Sequence, residues 1–182
     1  MGRKLLIKKG ENNLAEFEKI KDAIKTAIQM EQEGYSFYQK AAAQTSSEMG
    51  RTVFSSLAAD EILHLEVFKK LFEEKLGQDE WNKLVNSGSK YADIQVFPKD
   101  LKKVEGANPD TNEIDALRIA MDSEKEAIEY YTNIKGNLND SEVIKIIDEI
   151  IEQEKNHYSI LEGEFNHINS TGYWFELDYL GN

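Results

Sequence analysis

Two short stretches set an acid and an imidazole three residues apart: Glu61-Ile-Leu-His64 and, 93 positions later, Glu154-Lys-Asn-His157. On a helix, residues at i and i+3 share a face. Each stretch can therefore aim a carboxylate oxygen and a ring nitrogen at one point. Oxygen and imidazole donors without thiolate suit a divalent cation such as iron or manganese. The same offset finds two more acids. Ala27 to Tyr38 aligns with Ala120 to Tyr131, which sets Glu31 beside Glu124 and Tyr38 beside Tyr131. The candidate metal ligands are thus Glu31, Glu61, His64, Glu124, Glu154 and His157. The candidate catalytic centre is the metal site itself. Tyr38 and Tyr131 read as hydroxyl donors behind the ligands or, equally, as core tyrosines satisfied elsewhere.

Every one of these acids and imidazoles interrupts an apolar stripe of helical period. Phe54, Leu57, Glu61, His64, Phe68 and Leu71 form one seam, and Ile147, Ile150, Glu154, His157 and Leu161 another. Ile24, Ile28, Glu31, Tyr35 and Tyr38 form a third, matched by Leu117, Met121, Glu124, Ile128 and Tyr131. Such seams face other helices. One offset relating them all is the mark of a duplicated helical hairpin. By contrast Glu164-Phe-Asn-His167 has no counterpart in the first hairpin and reads as a chance match. Glu33, Glu126 and Glu129 fall off the seams and read as solvated surface.

The elements that must position the ligands follow from breaks and caps. Helix 1 is expected over about 14–43 and helix 2 over about 46–76, opened by a capping box at Thr45-Ser-Ser-Glu48 and stopped at Gly77. Helix 3 is expected over about 112–135 and helix 4 over about 140–169, opened by Asn139-Asp-Ser-Glu142. Met1 to Lys9 reads as a flexible or packing arm. The stretch 77–111 reads as a crossover, with a helical turn or two at 79–85, an extended piece at 91–97 and a turn at Asn108-Pro-Asp. The tail 170–182 carries Tyr173-Trp-Phe175, read with Trp81 as packing residues. Folding the first hairpin at Ser46 and the second at Asn139 sets each pair of acids level. A crossover this long is needed to return along a helix of roughly 45 Å, about 30 residues at about 1.5 Å each. The expected fold is all-α: a ferritin-like four-helix bundle in a single domain, built from two duplicated antiparallel hairpins joined by one long crossover.

Composition narrows the partners. The 182 residues are enough for one sizeable core. A formal net charge of −12 excludes nucleic acid and an anionic membrane surface as partners. The absence of cysteine excludes disulfides, thiolate metal sites and thiol catalysis, and fits a cytoplasmic protein. No apolar run approaches the roughly 20 residues of a membrane span. Four buried carboxylates with no Lys or Arg on the facing seams call for cations, and two divalent ions would balance them.

At these residues the chain resembles the rubrerythrin family of the ferritin-like superfamily, over about 14–169 without the crossover. The resemblance implies two iron ions, with manganese or zinc as other occupants. It implies Glu61 and Glu154 as bridges, Glu31 and Glu124 as terminal ligands, and His64 and His157 nearby. Tyr38, seven residues after Glu31, is similar to a family tyrosine. The chain departs from full-length rubrerythrins in having no four-cysteine iron domain, so the resemblance implies an external electron-donor protein. It also has Ala127 where the family has a further Glu, and Gly34 at the matching place in helix 1. The implied activity is reduction of hydrogen peroxide or dioxygen by a di-iron centre, in a homo-oligomer. The alternative is an iron-binding, ferroxidase or storage protein.

Overall fold

The stripe positions become the interior of a helical bundle. The computed structural model describes residues 2–86 and 109–175. Among the described residues there are five helices and no strand: α1 (Gly2–Gln44), α2 (Glu48–Leu76), α3 (Gln78–Asn86), α4 (Pro109–Lys135) and α5 (Ser141–Thr171). α1 pairs with α2 and α4 pairs with α5 as antiparallel hairpins. Tyr38 reaches Glu124 while Tyr131 reaches Glu31, so α1 runs antiparallel to α4. Asp60 meets His157 while His64 meets Gln153, so α2 runs antiparallel to α5. Around the bundle the order is therefore α1, α2, α5, α4. α2 ends at the opposite end of the bundle from the start of α4. This is the expected ferritin-like four-helix bundle with one long crossover, to which α3 adds a short helix.

Several boundaries differ from expectation. The arm expected to be flexible or packing is helical, and α1 starts at Gly2 rather than near residue 14. Lys4, Lys8, Lys9, Leu5, Leu6, Arg3 and Glu11 in that segment favour helix. Gly10 costs only about 1 kcal/mol, too little to stop a helix already nucleated by the packed turns beyond it. α4 starts at Pro109, inside the expected turn, because proline is well suited to a first helical position. The expected turns at 79–85 belong to α3, while the extended piece at 91–97 lies outside the described residues. Both capping boxes are displaced. Ser47, not Thr45, caps α2 by accepting from the Gly50 N–H, and Asp140, not Asn139, caps α5 by accepting from Glu142 and Val143. Gly77 ends α2 at φ 88°, and Gly172 ends α5 in the left-handed region at φ 80°. Neither conformation suits a residue with a Cβ.

Two apolar clusters fill the bundle. One, at the α2–α3 end, gathers Ile24, Phe68, Phe72, Tyr131, Ile147 and Ile150 with their neighbours. Trp81 of α3 packs on it, edge-on to Phe72 at 5.6 Å. The other, at the α1–α2 turn, gathers Tyr38, Phe54, Leu57, Leu117, Leu161 and Trp174. Each fully buried Leu, Ile or Phe contributes about 1.5–3 kcal/mol. Trp174 is buried as expected of a packing residue, but Tyr173 and Phe175 are exposed.

Glu113 fastens the second end. Its carboxylate accepts from Thr45 Oγ1, from the Ser46 N–H at 2.9 Å and from Trp174 Nε1 at 2.7 Å. One acid thus joins the α1–α2 turn, the first turns of α4 and the chain after α5. Burial pushes its pKa up, but the donors Thr45, Trp174 and Ser46 outweigh that and hold it below the usual value. A lowered folded-state pKa gives stability that is present above the unfolded pKa and lost as pH falls through the folded one. Glu113→Gln should therefore lower the Tm at neutral pH, and the gap to wild type should close below about pH 4. Thermal melts at both pH values check this. Beside this acid, a Cβ on Gly50 would lie 2.6 Å from Thr45 Oγ1 and 2.7 Å from Trp174 Cζ2. Overpacking of about 1–3 kcal/mol exceeds the roughly 1 kcal/mol that alanine gains as a helix former. Gly50→Ala should therefore lower the Tm and change the tryptophan emission.

Candidate metal centre

Between the two apolar clusters lies a layer of acids and imidazoles. Glu31 comes from α1, Glu61 and His64 from α2, Glu124 from α4, and Glu154 and His157 from α5. All six are at most 3% exposed. One group unites Glu31, Glu61, His64 and Glu154, with one ligand atom of each within 4.8 Å of the others. A second unites Glu61, Glu124, Glu154 and His157 in the same way. Glu61 and Glu154 belong to both. The structure thus brings together all six residues that the sequence singled out.

Both imidazoles turn Nδ1 inward. His64 Nδ1 lies 3.0 Å from Glu31, 3.5 Å from Glu61 and 3.4 Å from Glu154. His157 Nδ1 lies 3.0 Å from Glu154, 3.7 Å from Glu124 and 3.9 Å from Glu61. The rings stack with centroids 5.6 Å apart. The outer nitrogens meet side chains that the seams did not reveal. His64 Nε2 is 3.0 Å from Gln153 Oε1, and His157 Nε2 is 3.4 Å from Asp60 Oδ2. Asp60 and Gln153 each precede a seam glutamate, and periodicity gave no sign of their partners on the neighbouring helix.

The tyrosines are donors behind the acids, and they cross between hairpins. Tyr38 of the first donates to Glu124 of the second, and Tyr131 of the second donates to Glu31 of the first. Burial raises both phenol pKa values well above 10, with the neighbouring carboxylates adding to it. Both hydroxyls therefore stay protonated and able to donate. His167 lies outside the layer and packs edge-on against Phe175 at 5.1 Å. Glu164 instead accepts from the Phe175 N–H and holds the start of the tail. Glu126 and Glu129 are exposed as expected, while Glu33 is half-buried and accepts from Gln29.

Electrostatics and packing both suit a cation. Among the described residues no Lys or Arg pairs with these acids. Burial and Glu31 raise the Glu61 pKa well above normal. Burial and Glu154 raise that of Glu124 to about 8. Burial also works on Glu154, but His157 and His64 overcome it and hold this acid near 2. Burial lowers the histidines' pKa values, yet the surrounding carboxylates more than reverse it, lifting His157 to about 10 and His64 further. Protons thus hold the layer together when no cation does. Glu154 Oε2 and His157 Nδ1, although 3.0 Å apart, make no hydrogen bond among the described residues. Two buried polar atoms that converge without a hydrogen bond fit a cation in place of a proton. So does Gly34, where a Cβ would come within 3.2 Å of Glu61 Cδ.

The family model for Rubrerythrin matches residues 9–72 and, in a second match, residues 22–165. The chain belongs to the rubrerythrin family. A search of curated proteins finds no match. Among solved structures, a hypothetical protein from Pyrococcus furiosus is similar, at 21% identity and a TM-score of 0.61, over 83% of this chain and 90% of that one. CopM in its Cu(II)-bound form is also similar, at 16% identity and a TM-score of 0.56, over 81% of this chain and 97% of that one. At such identities both likenesses speak to the fold alone. No helix among the described residues is long and apolar enough to cross a membrane. For this rubrerythrin-family chain the donor set is one that could hold metal.

A cation must displace the protons that Glu61, Glu124, His64 and His157 retain near neutrality. Metal binding should therefore release protons, and its apparent affinity should rise as pH climbs through about 8 and on toward about 10, where Glu124 and His157 lose theirs. Titration in weak buffer with a pH-sensitive dye measures the release. Affinity independent of pH would contradict the protonated layer. Gly34→Ala tests the fit from the protein side: the apo Tm should hold or rise by helix propensity, while the displaced Glu61 weakens metal binding.

Proposed function

We propose that the chain is a rubrerythrin-type non-haem di-iron oxidoreductase that reduces hydrogen peroxide, or dioxygen, with electrons from an external donor protein. The observation that carries this reading is the pair of four-residue groups sharing Glu61 and Glu154. Glu61 and Glu154 would be shared by two ions, Glu31 and His64 would hold one of them, and Glu124 and His157 the other. Carboxylate and imidazole donors without thiolate suit iron or manganese. A pair of ferrous ions would supply two electrons together, which is what the O–O bond of a peroxide requires.

The chain's own residues supply the setting. Burial of all six ligands keeps bulk water from the layer. Tyr38 and Tyr131 hold Glu124 and Glu31 in place and keep their own protons. Reducing hydrogen peroxide to two waters consumes two protons as well as two electrons. Ala127 stands where the family has a further Glu, and its methyl group offers no ligand.

Metal analysis after reconstitution should find about two ions per chain. Stopped-flow mixing of the ferrous protein with each oxidant should show faster oxidation by hydrogen peroxide than by dioxygen. Glu61→Ala and His157→Ala should lose metal and reactivity together. Faster oxidation by dioxygen, with iron accumulating beyond two per chain, would replace this reading with ferroxidase and storage.

A further inference from the structure

At the outer ring nitrogens the duplicated halves are chemically unequal. Asp60 and Gln153 are counterparts under the 93-residue offset, each immediately before its glutamate. Each reaches the imidazole of the opposite hairpin: Asp60 Oδ2 lies 3.4 Å from His157 Nε2, and Gln153 Oε1 lies 3.0 Å from His64 Nε2. One partner is an anion and the other a neutral amide. We propose that Asp60 and Gln153 make the two metal positions unequal, so that a divalent cation binds more tightly at the Glu124–His157 position than at the Glu31–His64 position. This rests on the reading that the six residues hold two ions.

The physical cause is the charge behind the ring. A carboxylate 3.4 Å from the outer nitrogen, outside hydrogen-bond geometry, still polarises the ring and leaves more electron density on the inner Nδ1, which strengthens that nitrogen as a ligand. It also adds a negative charge on the far side of a ring that faces a cation. An amide oxygen orients the ring through an ordinary hydrogen bond but adds no charge. The Asp60 side chain is 42% exposed, so solvent weakens its charge without removing it. The inner ligands do not cancel the difference. Each position has one terminal Glu, one His Nδ1 and the two shared acids, and each terminal Glu accepts from one tyrosine. Asp60 and Gln153 are positioning residues, since each acts through an imidazole.

Anaerobic titration of the apo protein with Co(II), followed by calorimetry and visible absorption, tests this. Wild type should bind in two resolved steps. His157→Ala should remove the tighter step and His64→Ala the weaker. Asp60→Asn, nearly isosteric, should weaken the tighter step by about 10–100-fold and spare the other. Gln153→Glu should tighten the weaker step and narrow the gap, a gain that a damaged fold cannot produce. Circular dichroism of each variant checks helix content. Two steps of equal affinity in wild type, or equal weakening of both steps by Asp60→Asn, would overturn the proposal while leaving the two-ion reading intact. No Co(II) binding at all would overturn that reading, and this proposal with it.

Discussion

The structure turns on holding four carboxylates together away from water. Burying one unpaired charge costs several kcal/mol even after the protein relaxes, and at these separations each acid also opposes its neighbours. Two kinds of positive charge can offset that cost here: protons on the imidazoles and on the acids, or divalent cations. Both act at the same atoms. A cation entering the layer would have to replace protons, which would tie any affinity for metal to the affinity for protons. The two converging atoms without a hydrogen bond, Glu154 Oε2 and His157 Nδ1, mark where protons alone serve least well.

Duplication explains how so short a chain builds the layer. A single hairpin brings two carboxylates and one imidazole to one height, which is half a site. Two hairpins related by one offset complete each other, and the tyrosines show how closely. Tyr38 and Tyr131 each serve the acid of the other hairpin, so neither half satisfies its own glutamate. The same logic governs the outer contacts, where Asp60 and Gln153 serve the opposite imidazole. Exchange across the interface links hairpin docking to site geometry.

That four glutamates and two histidines share one layer was legible in the sequence, because period and offset are both one-dimensional. A glutamate on an apolar seam can be counted, and so can its distance from the turn. What escaped was whatever depends on lateral neighbours. Glu113, Asp60 and Gln153 carry contacts to other helices, and a helical period says nothing about which helix lies beside which flank. The cap positions escaped for another reason. Thr45, Ser46 and Ser47 are all able to cap, as are Asn139, Asp140 and Ser141. Tertiary demands chose among them: Thr45 is taken by Glu113, which leaves Ser47 to cap α2. Proline at 109 carries both turn and first-turn helix tendencies, and here the helix prevailed.

The ends of the bundle hold the middle in place without the help of a cation. At the α2–α3 end, Lys75 reaches Asp140 at 3.0 Å and also Glu142, tying the last turn of α2 to the cap of α5. At the other end, Glu113 ties α4 to the α1–α2 turn and to Trp174. An apolar cluster lies inside each clamp. The polar layer sits between two regions that fold by burying apolar surface, and it is carried into place by them. Helix positions are then fixed by contacts that involve no ligand. Within that frame the glutamates and histidines have little freedom to disperse, and their mutual repulsion falls on their protonation rather than on the fold. A frame of this kind permits one ligand to be exchanged without collapse of the bundle, and it separates loss of metal from loss of structure.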